Sequence, residues 1–385
     1  MSTTTRPVIQ TLTHEPGIGW SAPLPTELDS ERTLVVAFGA PRVDGAPGPI
    51  REVRGAFPNA HLIGCSTAGE ISGTRLLDDS VSVGVIRFNH TDLVSIDAPV
   101  RGREDSERAG AFLAEQLNRP GLRAVLVLSD GLNVNGSALV RGLTGALPEG
   151  VVTTGGLAGD GPNFGKTWVI RNGQPEAGFV SAVGLYGDRV RVGYGSKGGW
   201  DVFGPERVVT RSEESVLYEL DGKPALPLYK HYLGEVAKDL PASALRFPLA
   251  LRRDREDENS FVRTILSVDE GTQSMTFAGD IPEGHLAQFM RASFERLIGG
   301  AAESALMTRA NTASDEACLA ILVSCVGRRL VLGERTEEEL ERAAEVLPEG
   351  SSQMGFYSYG EISPFASGGC DLHNQTMTLT TITEG

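Results

Sequence analysis

The chain has 385 residues, 40% of them hydrophobic and 22% charged, with a net charge of −15. That length sets an expectation of two domains with substantial cores. The acidity argues against a nucleic-acid binder, which would carry a basic face, and against docking on an anionic membrane. No apolar run approaches the roughly 18 residues of a membrane span, and MSTTTRPVIQTLTHEPGIGW carries no signal-peptide pattern. The four cysteines form no CxxC pair. A reduced, cytoplasmic protein without membrane insertion is expected.

In chain order, residues 1–30 are polar and Pro-punctuated and read as a loosely ordered arm. A first domain is expected over 31–222, built of two similar α/β halves that share one continuous sheet arrangement. In its first half LVVAFGAP (34–41) reads as a strand, 49–57 as a helix and 61–64 as a second strand. Two further strands, 80–88 and 92–98, flank an Asn-His-Thr turn, and 104–117 is helical by apolar spacing. The second half repeats this with a strand at 123–129, a helix at 137–147 and a strand at 151–155. Strands at 167–171, 178–186 and 190–195 follow, joined by Asn-Gly and Gly-Asp turns.

A second domain is expected over 223–385. Leu226–Leu240 has an amphipathic helical pattern, with strands at 245–251, 260–267 and 274–278. A long helix is expected from Gly284 to about Met307. A strand at 317–325, a helix at 336–347 capped by Thr336, and strands near 353–359 and 376–382 complete the chain.

Three stretches echo one another: LVVAFGAP with HLIGCSTAGEI (61–71), VLVLSDGL with VVTTGGLAGDG (151–161), and AILVSCVG with SQMGFYSYGEI (352–362). Each joins two strands through a helix and ends in a Gly-acid pair: Gly69-Glu70, Gly159-Asp160, Gly360-Glu361. Such self-similarity implies a repeated β-α-β unit. The fold class expected is therefore α/β, with repeated β-α-β units, mixed sheets flanked by helices, and two domains sharing a pocket. The glycine turns let a ligand approach backbone on loops held by rigid strands. On that ground Ser66, Thr67, Gly69, Glu70, Gly156, Asp160, Tyr359 and Glu361 are the candidate ligand-binding residues. The carboxylates have two readings: locking their own turns by accepting backbone N–H groups, or lining a shared rim that meets a polar or cationic ligand.

Other local patterns carry less. Asp160–Thr167 nearly spells a phosphate-binding loop, but Asp160 stands where glycine is needed and a strand follows. Gly64–Gly69 has one residue too many for a nucleophile elbow. Cys370 and His373 lack the further ligands of a metal site. With no nucleophile-base pair or metal set, no enzyme is expected.

The ordered set of Cys-Ser-Thr-Ala-Gly-Glu-Ile (65–71), Gly-Gly-Leu-Ala-Gly-Asp-Gly (155–161), Tyr-Lys-His-Tyr-Leu-Gly (229–234), Tyr-Gly-Glu-Ile (359–362) and His-Asn-Gln-Thr-Met-Thr (373–378) resembles the FIST family. The resemblance implies a FIST N-terminal and a FIST C-terminal domain in a cytosolic bacterial sensory protein that binds a small ligand. It extends to the family's stand-alone nitric-oxide-sensing proteins, which bind haem and regulate a partner histidine kinase or other signalling protein. A sensor of a small polar metabolite such as an amino acid, without haem, is the alternative, and a homodimer is left open. A haem would need an apolar slot and an axial ligand. Among the six histidines, His231, on an amphipathic helix at the domain junction, comes first and His285, at the start of a long helix, second.

Overall fold

The computed structural model describes residues 6–42, 48–312 and 314–385. Three β-α-β units are present, and each pairs its two strands in parallel. Unit one joins Thr33–Gly39 to His61–Ser66, unit two Leu122–Ser129 to Val152–Leu157, and unit three Leu319–Cys325 to Ser352–Ser358. The first strands are buried almost throughout, as parallel strands covered on both faces must be. In every unit a glycine lets the second strand lie close against the first. A Cβ at Gly64, Gly155 or Gly355 would stand 2.0, 1.8 or 1.9 Å from the carbonyl oxygen of Ala37, Val127 or Leu322.

Each unit then lends a strand to its neighbour's sheet. Glu70–Ser72, after unit one, pairs with Ser352–Ser358 of unit three. Gly360–Pro364, after unit three, pairs with Val152–Leu157 of unit two. Val169–Arg171, after unit two, pairs with His61–Ser66 of unit one. The exchange closes a ring of three mixed sheets, each extended on the other side by an antiparallel strand: Val81–Arg87, Phe179–Tyr186 or Met377–Glu384.

Alternation along the strands gives each sheet an inner and an outer face. The inner faces meet in one core containing Phe38, Leu126, Leu128, Ile321, Val323 and Phe356. The Phe38 and Phe356 rings lie 4.5 Å apart, centre to centre. Helices cover the outer faces. Pro49–Ala56, which begins with proline at a position where the missing N–H costs nothing, packs Ile50 and Val53 on unit one. Ser106–Leu117 and Gly136–Ala146 cover unit two, the latter capped by Asn135, whose side chain accepts from the Ala138 N–H at 3.1 Å. Phe294–Thr312 and Thr336–Ala344 cover unit three.

A fourth sheet, spanning Asp201–Glu213 to Leu286–Arg291, has its own core under the Ala225–Leu233 helix. It is docked on unit two by Arg263, which is fully buried and donates to the Asp280 and Leu372 carbonyls at 3.1 and 2.9 Å. Arg141 and Asn135 of unit two reach the Asp280 carboxylate at 2.9 and 3.1 Å.

The mixed α/β fold of repeated units is as expected, but several details differ. Val8–Glu15, within the supposed loose arm, is a strand in register with Val81–Arg87. The first two units form separate sheets rather than one continuous arrangement. The core that unit three shares with units one and two runs across the expected division at 222–223. The segment after Gly284 begins as the strand Leu286–Arg291, and its helix starts only at Phe294. The amphipathic helix stops at Leu233, where Gly234 takes a left-handed φ of 60° and a short 3-10 stretch follows. Thr336 is no cap; its hydroxyl donates to the Gly333 carbonyl.

Unit three is tied to its helices by one fully buried ion pair, Arg328 with Glu339 at 2.6 Å. Ser324 and Tyr357 donate to the other Glu339 oxygen at 3.0 and 2.7 Å, and Arg328 also donates to the Leu297 carbonyl at 2.8 Å. Such a network is stable only while every member is satisfied. Glu339→Ala is expected to cost about 3–5 kcal/mol by stranding a buried guanidinium, with Glu339→Gln costing less. Urea-unfolding midpoints of the three chains check this.

Candidate functional site

At one end of the ring the three turns meet. The Ala68 N–H donates to the Tyr357 carbonyl at 2.8 Å, Tyr359 to Leu157 at 3.2 Å, and Gly159 to Ser66 at 3.0 Å. Two of the three acids have matching places there. Glu70 stands opposite Phe356 and Glu361 opposite Gly156, each the residue after the close-approach glycine of the neighbouring unit. Each carboxylate accepts from the hydroxyl three residues before it, Thr67 or Ser358. Each also takes the N–H and hydroxyl of a residue further on: Ser80 at 3.0 and 2.7 Å, Thr376 at 3.2 and 2.9 Å. The corresponding place in unit two, opposite Cys65, holds Val169. Asp160 instead opens the 160–168 excursion that precedes it.

That excursion forms a flap. The Asp160 carboxylate accepts the N–H groups of Gly165 and Lys166 at 2.6 and 2.8 Å and the Tyr359 hydroxyl. Phe164, at a φ of +48°, stacks on Tyr359 with ring centres 4.7 Å apart. A left-handed non-glycine residue is uncommon and is held by its surroundings. The resemblance to a phosphate-binding loop is therefore superficial: the N–H groups at its end already hold a carboxylate.

The flap separates two cavities. One, of about 380 Å³, is polar and is lined by Thr67, Gly69, Glu70, Asp78, Asp160 and Arg329 among others. Arg329 is paired with Asp78 at 2.9 and 2.7 Å and donates to the Ala68 carbonyl. The other, of about 450 Å³, is mainly apolar. Its walls come from unit two (Leu132, Val134, Gly136), the fourth sheet (Thr264, Ile265, Leu266, Ala278), unit three (Cys325, Val326, Leu330), and Phe164 with Tyr359.

The candidate residues thus divide. Thr67, Gly69, Glu70 and Asp160 line the polar cavity, and Tyr359 the apolar one. Ser66, Gly156 and Glu361 line neither. The Ser66 hydroxyl accepts the Trp168 N–H at 3.1 Å, a Cβ at Gly156 would stand 2.7 Å from Val323, and Glu361 is fully buried. One further feature escaped the sequence reading. Asp130, at the end of unit two's first strand, accepts from the N–H groups of Leu132, Asn133 and Gly178 and from the Thr167 hydroxyl. Burial alone would raise its pKa, but these donors outweigh burial and hold it below the usual carboxylate range. Its Asp-Gly sequence next to a strand end was the signal available.

The histidines do not fit a haem. His231 is exposed on a helix that packs its other face into the fourth sheet's core. His285 is half-buried and precedes a strand rather than opening a helix. Among the described residues no histidine lines the apolar cavity. His373 is buried with Nε2 2.9 Å from the Ser363 carbonyl oxygen. Cys325 does line the cavity, but burial pushes its thiol well up, away from a ligating thiolate. No cluster of three or more metal-ligating side chains is found among the described residues.

Burial pushes the Glu361 carboxyl up to about 8 and that of Glu70 up to about 7, against the lowering effect of their hydroxyl and N–H donors. A raised folded-state pKa contributes stability that is complete below the ordinary value of 4.5 and is lost as pH rises through about 8 for Glu361. Wild type is therefore expected to lose stability from about pH 5 to about pH 8, with Glu361 contributing a slope of about 1.4 kcal/mol per pH unit over that range. Glu361→Gln is expected to flatten that decline, read from urea midpoints across the range. An unchanged slope would mean that Glu361 is ionised in the folded protein.

Comparison with known proteins divides the chain into two matched parts. Residues 33–223 match the FIST N domain and residues 225–364 the FIST C domain. An uncharacterized protein of Methanocaldococcus jannaschii is 25% identical over 300 residues, covering 71% of this chain. The chain spans 56% of that protein's length. No described helix is long and apolar enough to cross a membrane. With both domain matches in order along the chain, the protein belongs to the FIST family of signalling sensors.

Proposed function

We propose that the protein is a sensor whose small-molecule ligand occupies the apolar cavity between the three-unit ring and the fourth sheet. The observation that carries this reading is the origin of the walls: both FIST domains and the flap contribute to one cavity of small-molecule size. A ligand there would favour one docking of the fourth sheet over others. Differential affinity of that kind is what converts occupancy into a signal. The signal would pass to a histidine kinase or other signalling protein. Haem has no part in this reading, because among the described residues no imidazole lines the cavity. A polar metabolite such as an amino acid would sit instead in the neighbouring cavity, whose wall includes Glu70, Asp78, Asp160 and Arg329.

A thermal-shift screen of small metabolites separates the two cavities. Ligands that raise the Tm of the wild type are expected to lose their effect in Ala278→Trp, which fills the apolar cavity, and to keep it in Glu70→Gln. Hits that survive Ala278→Trp and vanish in Glu70→Gln would move the site to the polar cavity.

A further inference from the structure

Unit two reaches its lent strand by a longer route than the others. Units one and three pass from their second strand to the next through residues 67–69 and residue 359, whereas unit two uses 158–168. Both ends of that connection are fixed. At one end Ala158 and Gly159 donate N–H groups to the Ser129 and Ser66 carbonyls at 2.8 and 3.0 Å. At the other the Thr167 hydroxyl donates to Asp130 at 2.9 Å, and Trp168 is buried. Between them Pro162, Asn163, Phe164, Gly165 and Lys166 are all exposed.

Asp160 and Tyr359 hold this exposed tip. The Asp160 carboxylate takes the Gly165 and Lys166 N–H groups, and its carbonyl takes the Asn163 side-chain amide at 2.9 Å. Tyr359 donates to the Gly161 carbonyl at 2.8 Å and carries the Phe164 ring. Strain opposes the hold. Phe164 keeps a φ of +48°, which a bulky residue rarely adopts, while its side chain is 56% exposed. Swinging Phe164 off Tyr359 would release that strain. Gly161 and Gly165 stand on either side of it, and glycine readily absorbs a change of backbone angle. The tip also stands where the two cavities adjoin: Gly161 and Pro162 belong to both linings, as do Val326 and Leu330 of the helix Val326–Leu332.

We infer that residues 161–166 are a lid, which turns about Gly161 and Gly165, lifts Phe164 off Tyr359 and opens the apolar cavity toward its polar neighbour. A ligand enters through the open form and is closed in by the Phe164 ring, so occupancy favours the closed form. This rests on the reading of the apolar cavity as the sensor site, and it names the moving part through which that site is reached.

The test uses the full chain without ligand. Amide hydrogen exchange at Gly165 and Lys166 is compared with that at Ser80 and Thr376, whose N–H groups are held by the Glu70 and Glu361 carboxylates. Protection at Gly165 and Lys166 is expected to be lower by about a hundredfold or more, the mark of local opening. Phe164→Ala, which removes the stack, is expected to lower it about three- to tenfold further. Phe164→Tyr keeps an aromatic ring and is expected to leave it unchanged, with Ser80 and Thr376 unaffected in both variants. Emission from the added apolar dye anilinonaphthalene sulfonate is expected to rise in Phe164→Ala, and not when Ala278→Trp is combined with it. Protection at Gly165 and Lys166 equal to that at Ser80 and Thr376 would overturn the lid, as would an equal loss at all four sites in Phe164→Ala. Emission that stays level, or that rises despite Ala278→Trp, would overturn the lid's place over the apolar cavity. Metabolite hits that survive Ala278→Trp in the thermal-shift screen would instead remove the sensor-site reading and leave the exchange result standing.

Discussion

Everything at the functional end of the molecule depends on a closed cycle of three backbone hydrogen bonds. Unit one donates to unit three, unit three to unit two, and unit two to unit one. The cycle closes because each second strand lies unusually near its first, at Gly64, Gly155 and Gly355. A side chain at any of these positions would force the strands apart and misplace the turn that follows. The glycines that look at first like a ligand's landing place are thus needed to bring the turns together.

The turns in turn decide where chemistry is available. Glu70 and Glu361 are occupied in holding their own turns, each with a hydroxyl three residues back and a further hydroxyl and N–H. Unit two breaks the symmetry by replacing the acid with Val169 and inserting the flap. That departure is what opens space: the flap divides a polar hollow from an apolar one and brings Phe164 over Tyr359. In this pseudosymmetric scaffold the repeated features hold the turns and the unrepeated one shapes the cavities.

The repeat itself was legible because strand runs such as LVVAFG and AILVSC, and the glycines beside them, are local properties. What was not legible is non-local. Asp160 follows the same Ala-Gly pair as Glu70, yet the strand lent by unit two begins at Val169, and only pairing with Cys65 shows it. The stretch from Leu286 to Met290 has apolar residues at spacings a helix would accept. It is a strand because Asp201–Glu213 and Leu249–Arg252 lie on either side of it. The neighbours of a histidine in sequence carry no information about a slot formed by distant segments, so His231 and His285 looked better placed than they are.

The lending of strands also bears on how the chain is made. Synthesis proceeds from the N-terminus, and domains generally fold as units as they emerge. The first sheet can acquire its last strand once Glu176 has emerged, but the second must wait for His373 and the third for Glu384. Until then Val152–Leu157 lacks the neighbour that Gly360–Pro364 provides, and Glu70–Ser72 has no strand of unit three to join. A nascent or truncated FIST N portion therefore carries unpaired edges, the feature that invites intermolecular pairing. Completion depends on contacts between residues far apart in sequence, which slow folding. The same exchange of strands makes completion of the FIST N sheets depend on strands of the FIST C portion.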